Sequence, residues 1–316
     1  MKILHHLKLE KSGLFFTALE IAKYEERLGH EVCLMEPNGH VLHGNPDGKI
    51  DIHLIHSQID PKYYHDGIVK ILFAHGEPLS SVSNGISYKA IIDLASICDA
   101  IICFRKEEQV IWNTIKRTWY ITKGVDLEAF RPLDDPGEKL SGAPSIVYLE
   151  SWRGIRNPLY LVVAALEVWK KYPDTRLHLF NCTDKRMYET FQAYVKHSKL
   201  WPYLRTISGP VEDVNLLLNR CDIAVSCLGE LFARTPLEAI ASGRPGLCPG
   251  YRSENNSVSY PFVCRLEPMS MASSICAAYE AYKNKTFDFR EYATRFHSAE
   301  IMVRECLEVY KRYLSN

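Results

Sequence analysis

A chain of 316 residues is long enough for two domains of ordinary size, each able to bury its own core. Apolar residues make up 47% of it, which excludes an intrinsically disordered protein. The 38 basic side chains are matched by 38 acidic ones, so no broad positive field favours nucleic acid, although a local patch stays compatible.

In chain order, apolar runs of β type alternate with segments of helical period. Strands are expected near 2–6, 32–35, 51–55, 69–74, 99–103 and 118–121, with helices near 14–28, 87–97 and 106–115. The first helix ends at Gly29, a helix-to-strand turn. Residues 131–145, RPLDDPGEKLSGAPS, carry three prolines and two glycines and read as a linker. Beyond it strands recur near 145–149, 176–180, 204–207, 222–227 and 245–248, and helices near 158–172, 186–196, 211–219 and 236–242. The tail from about 288 to 314 is expected to be helical, with AEIMVRECLEVYKRYL showing an apolar stripe at helical spacing. The pattern predicts two doubly wound α/β domains facing across a cleft. Their expected extents are 1–132 joined by the C-terminal helix 297–316, a linker over 133–145, and 146–296.

The ten cysteines form no C-x-x-C pair and lie mostly in apolar runs, so they read as free thiols of a reducing compartment. The N-terminus MKILHHLKLEKSG lacks the long apolar segment of a signal peptide, and no run of about 18 apolar residues occurs. A cytoplasmic protein with no metal site and no transmembrane segment is expected.

GELFARTPLEAIASGRP, residues 229–245, carries the most chemistry. Thr235 is a helix cap candidate, Pro236 suits the first helical position, and Glu238 completes a Thr-x-x-Glu capping box. Gly243 and Pro245 close the helix. Glu230 then lies between a buried strand and a helix N-terminus, the edge where open α/β sheets bind ligands and where N–H groups favour a phosphate. Taken alone, Glu238 can equally be a plain capping residue and Glu230 a solvated loop carboxylate.

Four segments extend the pattern along the chain: the opening MKILHHLKLEKSGLFFTALEIAKYEERLGHEV, the pair DIHLIHS and KILFAHGEP, then KGVDLEAFRP (123–132), and the E-x7-E spacing of Glu230 and Glu238. With these the chain resembles a GT-B glycosyltransferase of the retaining family-4 type. The resemblance implies that Glu238 accepts hydrogen bonds from the ribose hydroxyls of a nucleoside diphosphate sugar, while Glu230 contacts the sugar near the reacting carbon. It implies backbone donors for the diphosphate from Phe232, Ala233, Arg234 and Thr235. His75 matches a histidine that bonds the donor sugar, and Gly13 a glycine that lets the loop after the first strand approach its ligand. In IVYLESWRGIRNP, Arg156 matches the family's lysine position, but its usual arginine falls on Ser151. Arg153 stands as the substitute, which leaves open whether Arg153 or Arg156 holds the diphosphate. Arg234 is a third cation, and His53 and His56 read as structural.

The implied reaction is sugar transfer with retention from a donor linked to UDP or GDP, without a metal or other cofactor. The acceptor is open: glycan, lipid-linked glycan, small molecule or modified nucleic acid. The basic and aromatic stretch NTIKRTWYITK (113–123) would suit a nucleic acid or membrane surface, or is an ordinary strand with solvated flanks. The alternatives are a nucleotide-sugar epimerase or hydrolase, or a catalytically silent binding or scaffold protein on the same fold. No G-x-G-x-x-G follows the first strand, which disfavours a dinucleotide oxidoreductase.

Overall fold

A computed structural model describes residues 1–8, 13–56, 68–75, 88–150, 158–181, 185–197, 204–207, 211–227, 233–249 and 260–315. They form two compact units. The first combines Met1–Gly124 with Ala299–Asn316, and the second is Val125–Ser298.

The first unit is built on seven strands: β1 (Lys2–His6), β2 (Glu31–Met35), β3 (Val41–His43), β4 (Ile52–Ile55), β5 (Val69–Ala74), β6 (Ala100–Cys103) and β7 (Thr118–Tyr120). They lie in the order β3-β2-β1-β4-β5-β6-β7. All pairs are parallel except β2 with β3, a short antiparallel edge that the sequence pattern did not announce. The helices are α1 (Gly13–Arg27), α2 (Tyr88–Ile97), α3 (Lys106–Trp112) and, from the far end of the chain, the 299–314 helix named α10 below. Helix α1 buries Thr17, Ala18, Ile21, Ala22, Tyr24 and Glu25, a stripe at spacings of three and four. It stops where Gly29 takes a positive φ of 86°.

The second unit has β8 (Ser145–Tyr148), β9 (Arg176–Leu179), β10 (Leu204–Ile207), β11 (Ile223–Val225) and β12 (Gly246–Leu247), ordered β10-β9-β8-β11-β12. Every pair is parallel. Its helices are α4 (Leu159–Lys171), α5 (Lys185–His197), α6 (Val214–Arg220), α7 (Arg234–Ala241), α8 (Pro268–Lys283) and α9 (Phe289–Phe296), and α10 (Ala299–Leu314) closes the series. Asp213 and Asp288 cap α6 and α9 by accepting from Leu216 N and Glu291 N. Central strands β1, β8 and β11 are buried along their whole length, as strands covered on both faces must be.

One boundary differs from the sequence expectation. Residues 125–133 group with the second unit, where the expected boundary is 132. Val125 N–H bonds His297 O at 2.8 Å, Asn219 accepts from Leu133 N and donates to Arg131 O, and Arg290 donates to the carbonyls of Leu127 and Phe130. The helical tail consists of α9 and α10, and α10 begins at Ala299, close to the expected start of the C-terminal helix at 297. At the break Val125 pairs with Ser298, so backbone groups that would continue the helix are engaged there. Helix α8 was not read from the sequence, although Pro268 marks its first turn.

Nine cysteines among the described residues are free thiols, eight of them buried. No described helix is long and apolar enough to cross a membrane.

Arg290 joins the 125–133 segment to the C-terminal end of α7, donating to Ala241 O at 2.6 Å as well as to Leu127 and Phe130. Arg290→Ala is expected to lower stability by about 2 kcal/mol or more, as the urea midpoint will report, because several charge-assisted bonds go together. Arg290→Lys should recover only part of this, since one ammonium cannot reproduce the fork.

Candidate functional site

In each sheet the winding reverses once, and ligands of open α/β sheets bind beyond the strand ends at that reversal. In the second unit it lies between β8 and β11. Glu150, two residues past β8 and 6% exposed, spans this point. Its carboxylate accepts from Ser226 Oγ at 2.6 Å and from Cys227 N–H at 3.2 Å, both just past β11. Sequence reasoning passed over Glu150; its signal was a carboxylate directly after a fully apolar strand. It fixes the point from which the chain leaves toward 228–232.

Glu230 and Phe232 fall in that stretch, and Arg153 and Arg156 in 151–157, so these four lie outside the described residues. Ala233, Arg234, Thr235 and Glu238 are brought together on α7. The expected capping box is not formed. Ala233 is the N-cap, no side chain caps the helix, and Thr235 lies within the first turn. Glu238 instead binds Arg234 one turn earlier, Oε1 to Nε at 2.5 Å, and is 5% exposed. Arg234 is the first residue of the helix, so the pair holds the carboxylate along the helix face toward the N-terminus. Its guanidinium also lies 5.9 Å from the Phe130 ring, which comes from the KGVDLEAFRP segment. The N–H groups of a helix's first turn point outward from its end, and the helix dipole adds partial positive charge there.

The other end of α7 follows the expectation. Gly243 has φ 75°, its N–H bonds Ile240 O, and Arg244 N–H bonds Ala239 O at 2.8 Å, a Schellman ending. Gly246 on β12 fixes how deeply the first turn sits: a Cβ there would lie 1.9 Å from Pro236 O. Nearby Cys227 and Cys248 are pushed up by burial, Cys248 to about 12, so neither supplies a thiolate nucleophile at neutral pH.

In the first unit the reversal lies between β1 and β4, and histidines fill it. Consecutive residues of a strand face opposite sides, so His5 and His6 diverge. His6 Nδ1 meets His53 Nε2 at 2.6 Å on one side. On the other, His5 Nδ1 meets His56 Nε2 at 3.1 Å, and His56 Nδ1 meets His75 Nε2 at 3.3 Å. His75 directly follows β5 and is partly exposed, against Phe73 and Phe104. Burial lowers His56 well below the usual imidazole value, with His5, His75 and His53 adding to it. Burial, then Lys123, lowers His75 to about 3. Both rings are therefore neutral at pH 7. The rings bond one another in series, and among the described residues no group of three or more His, Cys, Asp or Glu is placed to hold a metal.

Gly13 opens α1 with an ordinary φ, and a Cβ there would meet nothing within 4 Å among the described residues. Neither backbone nor packing demands glycine. A cavity of about 530 Å³ lined by Lys139, Tyr279, Lys283 and Phe287 opens beside Asp222, at the opposite end of β11 from the reversal, and contains no expected site residue.

Gly246→Ala is expected to push the first turn of α7 outward and lower the melting temperature, while Gly13→Ala leaves it unchanged. Acid should destabilise the first unit early. With folded pKa values below the unfolded 6.5, the unfolded chain binds more protons as pH falls. Stability is then complete above 6.5 and falls through the window toward about 3. The part above about pH 5, clear of ordinary carboxylates, should become shallower in His75→Asn, keeping the His56 share, when urea midpoints are followed against pH.

No protein-family model and no curated protein matches the sequence. Solved structures do match its fold. A glycosyltransferase from Rickettsia africae ESF-5 aligns with a TM-score of 0.72 at 17% identity, over 100% of this chain and 99% of its own. Anabaena Alr3699/HepE, in complex with UDP and glucose, gives 0.73 at 12% identity over 99% and 100%. An alpha-glucosyltransferase in complex with UDP and a 13-mer DNA containing a HMU base gives 0.68 at 12% over 98% and 99%. At these identities the likeness is one of fold, and the fold of this chain is that of the GT-B glycosyltransferases.

Proposed function

We propose that the protein is a glycosyltransferase that moves a sugar from a nucleoside diphosphate sugar to an acceptor hydroxyl, with retention of configuration, in the manner of family 4. The observation that carries this reading is Glu238. It is a buried carboxylate on the first helix after the strand at which the sheet reverses, beside a helix N-terminus suited to a diphosphate. The fold matches of full length are to glycosyltransferases, and the Anabaena neighbour was solved with UDP, which favours a UDP-linked donor over a GDP-linked one.

In this reading Glu238 accepts from the ribose hydroxyls, and Ala233, Arg234 and Thr235 meet the diphosphate with their backbone N–H groups. Arg153 and Arg156 supply cationic charge to the leaving group in place of a metal. Glu230 stabilises positive charge developing on the sugar. His75 bonds a sugar hydroxyl, and Gly13 admits the ligand close to the start of α1. The acceptor hydroxyl attacks from the face the nucleoside diphosphate leaves, and the departing phosphate oxygen takes its proton. Catalysis then rests on positioning and charge. The free thiols suit a reducing compartment such as the cytoplasm. The acceptor is a glycan, a lipid-linked glycan, a small molecule or a modified nucleic acid.

A melting screen against UDP-, GDP-, ADP- and TDP-sugars, with and without Mg²⁺, tests the reading. A donor at about 100 times its dissociation constant stabilises by about 2.7 kcal/mol. Glu238→Ala should weaken donor binding by about 2 kcal/mol, roughly thirtyfold, with little change in turnover. Glu230→Ala should leave donor binding near normal and lower turnover about 100-fold or more. Negligible effects of both substitutions on binding and transfer would overturn the assignment. Products of simple hydrolysis or epimerisation would point to those reactions instead.

A further inference from the structure

The histidines of the first unit are connected in a definite order, and the order sets which way their protons point. At one end is Glu25 on α1, fully buried. Its Oε1 accepts from the Tyr310 hydroxyl of α10 at 3.0 Å, and its Oε2 lies 2.6 Å from His5 Nε2. At the other end is His75, partly exposed where β5 ends. Between them stand His5 and His56, both buried, with near-parallel rings 8° apart. The register explains the alignment. His5 pairs with Leu54 and Leu54 with Ile71, so His56, Phe73 and His75 project on the side of the sheet that His5 does.

A carboxylate only accepts hydrogen bonds, and a neutral imidazole has one donor and one acceptor nitrogen. Glu25 Oε2 therefore takes the Nε2–H of His5, which leaves His5 Nδ1 as an acceptor. That nitrogen takes the Nε2–H of His56, whose Nδ1 in turn takes the Nε2–H of His75. One choice at Glu25 determines each of the three tautomers.

We propose that Glu25, His5 and His56 are positioning residues that hold His75 as its Nε2–H tautomer, so that His75 presents Nδ1 as a hydrogen-bond acceptor to a hydroxyl of the substrate. The identity of that hydroxyl, a hydroxyl of the donor sugar, rests on the transferase reading; the polarity of the relay does not. Among the described residues, these charged and titratable groups act on the relay. Lys123 acts on His75 on the same side, while His53 acts on His56 from the opposite side of the sheet, where it is paired with His6. His30 and Cys306 lie near Glu25 along with Tyr310. A proton lodged on His5 would reverse the polarity: His5 Nδ1–H would donate to His56, His56 Nδ1–H to His75, and His75 would present a donor. The proposal thus predicts one of two distinguishable states.

Two-bond proton–nitrogen spectra of the full-length, ¹⁵N-labelled protein at pH 7 tell the states apart. The expected result is a protonated Nε2 and a bare Nδ1 on His5, His56 and His75. A protonated Nδ1 on His75, or a cationic His5, overturns the proposal. His56→Phe keeps an aromatic ring against Phe73 and removes the link. It should leave His75 as a mixture of tautomers, and an unchanged His75 signal in a folded variant also overturns the proposal. UDP-glucose binding provides the functional arm. His56→Phe should weaken it about fivefold to tenfold, the scale of one hydrogen bond. The same substitution made on top of His75→Asn should weaken it no further, because His56 acts through His75. Additive losses would mean that His56 is merely structural and would overturn the positioning role. Absence of UDP-glucose binding by the unaltered protein counts against the transferase reading with that donor, and the nitrogen spectra then decide the relay by themselves.

Discussion

A parallel sheet that winds first one way and then the other must leave two adjacent strands whose following segments depart in opposite directions. The space between those departures is the constraint on which the rest of each unit depends. It is β1 against β4 in the first unit and β8 against β11 in the second. Nothing in the sheet itself fills it, so side chains immediately past the strands must. In the first unit they are His56 and, one strand further, His75. In the second they are Glu150, Ser226 and Cys227, followed by the approach to α7. Apart from His53 within β4, the polar groups at the reversals sit just past a strand or in the last two positions of β1.

Buried carboxylates recur at these places, and each is costly unless it is bonded. Removing a carboxylate from water costs several kcal/mol, recovered only by good donors. Glu25 has His5 and Tyr310, Glu150 has Ser226 and the Cys227 N–H, and Glu238 has Arg234. The donors come from different elements in the first two cases, so each of those carboxylates ties elements together: α1 to β1 and α10, and the end of β8 to the end of β11. The Arg234–Glu238 pair lies within one helix and does something different. It holds the carboxylate at a fixed place along α7, and Gly246 lets β12 pass close enough to hold the helix itself.

The alternation of apolar runs made both sheets legible, because a parallel strand buried on two faces has to be continuously apolar. The C-terminal end of α7 was legible for the same kind of reason, since Gly243 and Pro245 leave few alternatives. Its N-terminus was not. Thr-Pro-x-Glu satisfies the local rule for a cap, but Arg234 competes for Glu238, and a one-residue motif rule contains no term for that competition. The C-terminal helix was legible from its apolar stripe, but the pairing of Ser298 with Val125 just before it was hidden, because it joins residues far apart in sequence. The histidine relay was hidden too. His5, His56 and His75 are spaced without period and look like three isolated polar residues, and only the strand order β1-β4-β5 sets them side by side.

The same relay decides between two uses of His75. A general base must hold the proton it takes, and that requires a conjugate acid with a pKa near the working pH. Lowered to about 3 by burial, His75 stays neutral at neutral pH. It would return a proton as soon as it received one. Passing the proton inward does not help, because His56 is lowered further along the path by burial and by its histidine neighbours. What the low value does provide is constancy. A ring that stays neutral over the physiological range, with one nitrogen engaged by His56, offers the other as an acceptor of fixed direction. That suits recognition of a hydroxyl, and it leaves His75 no role as general base in the transfer proposed above.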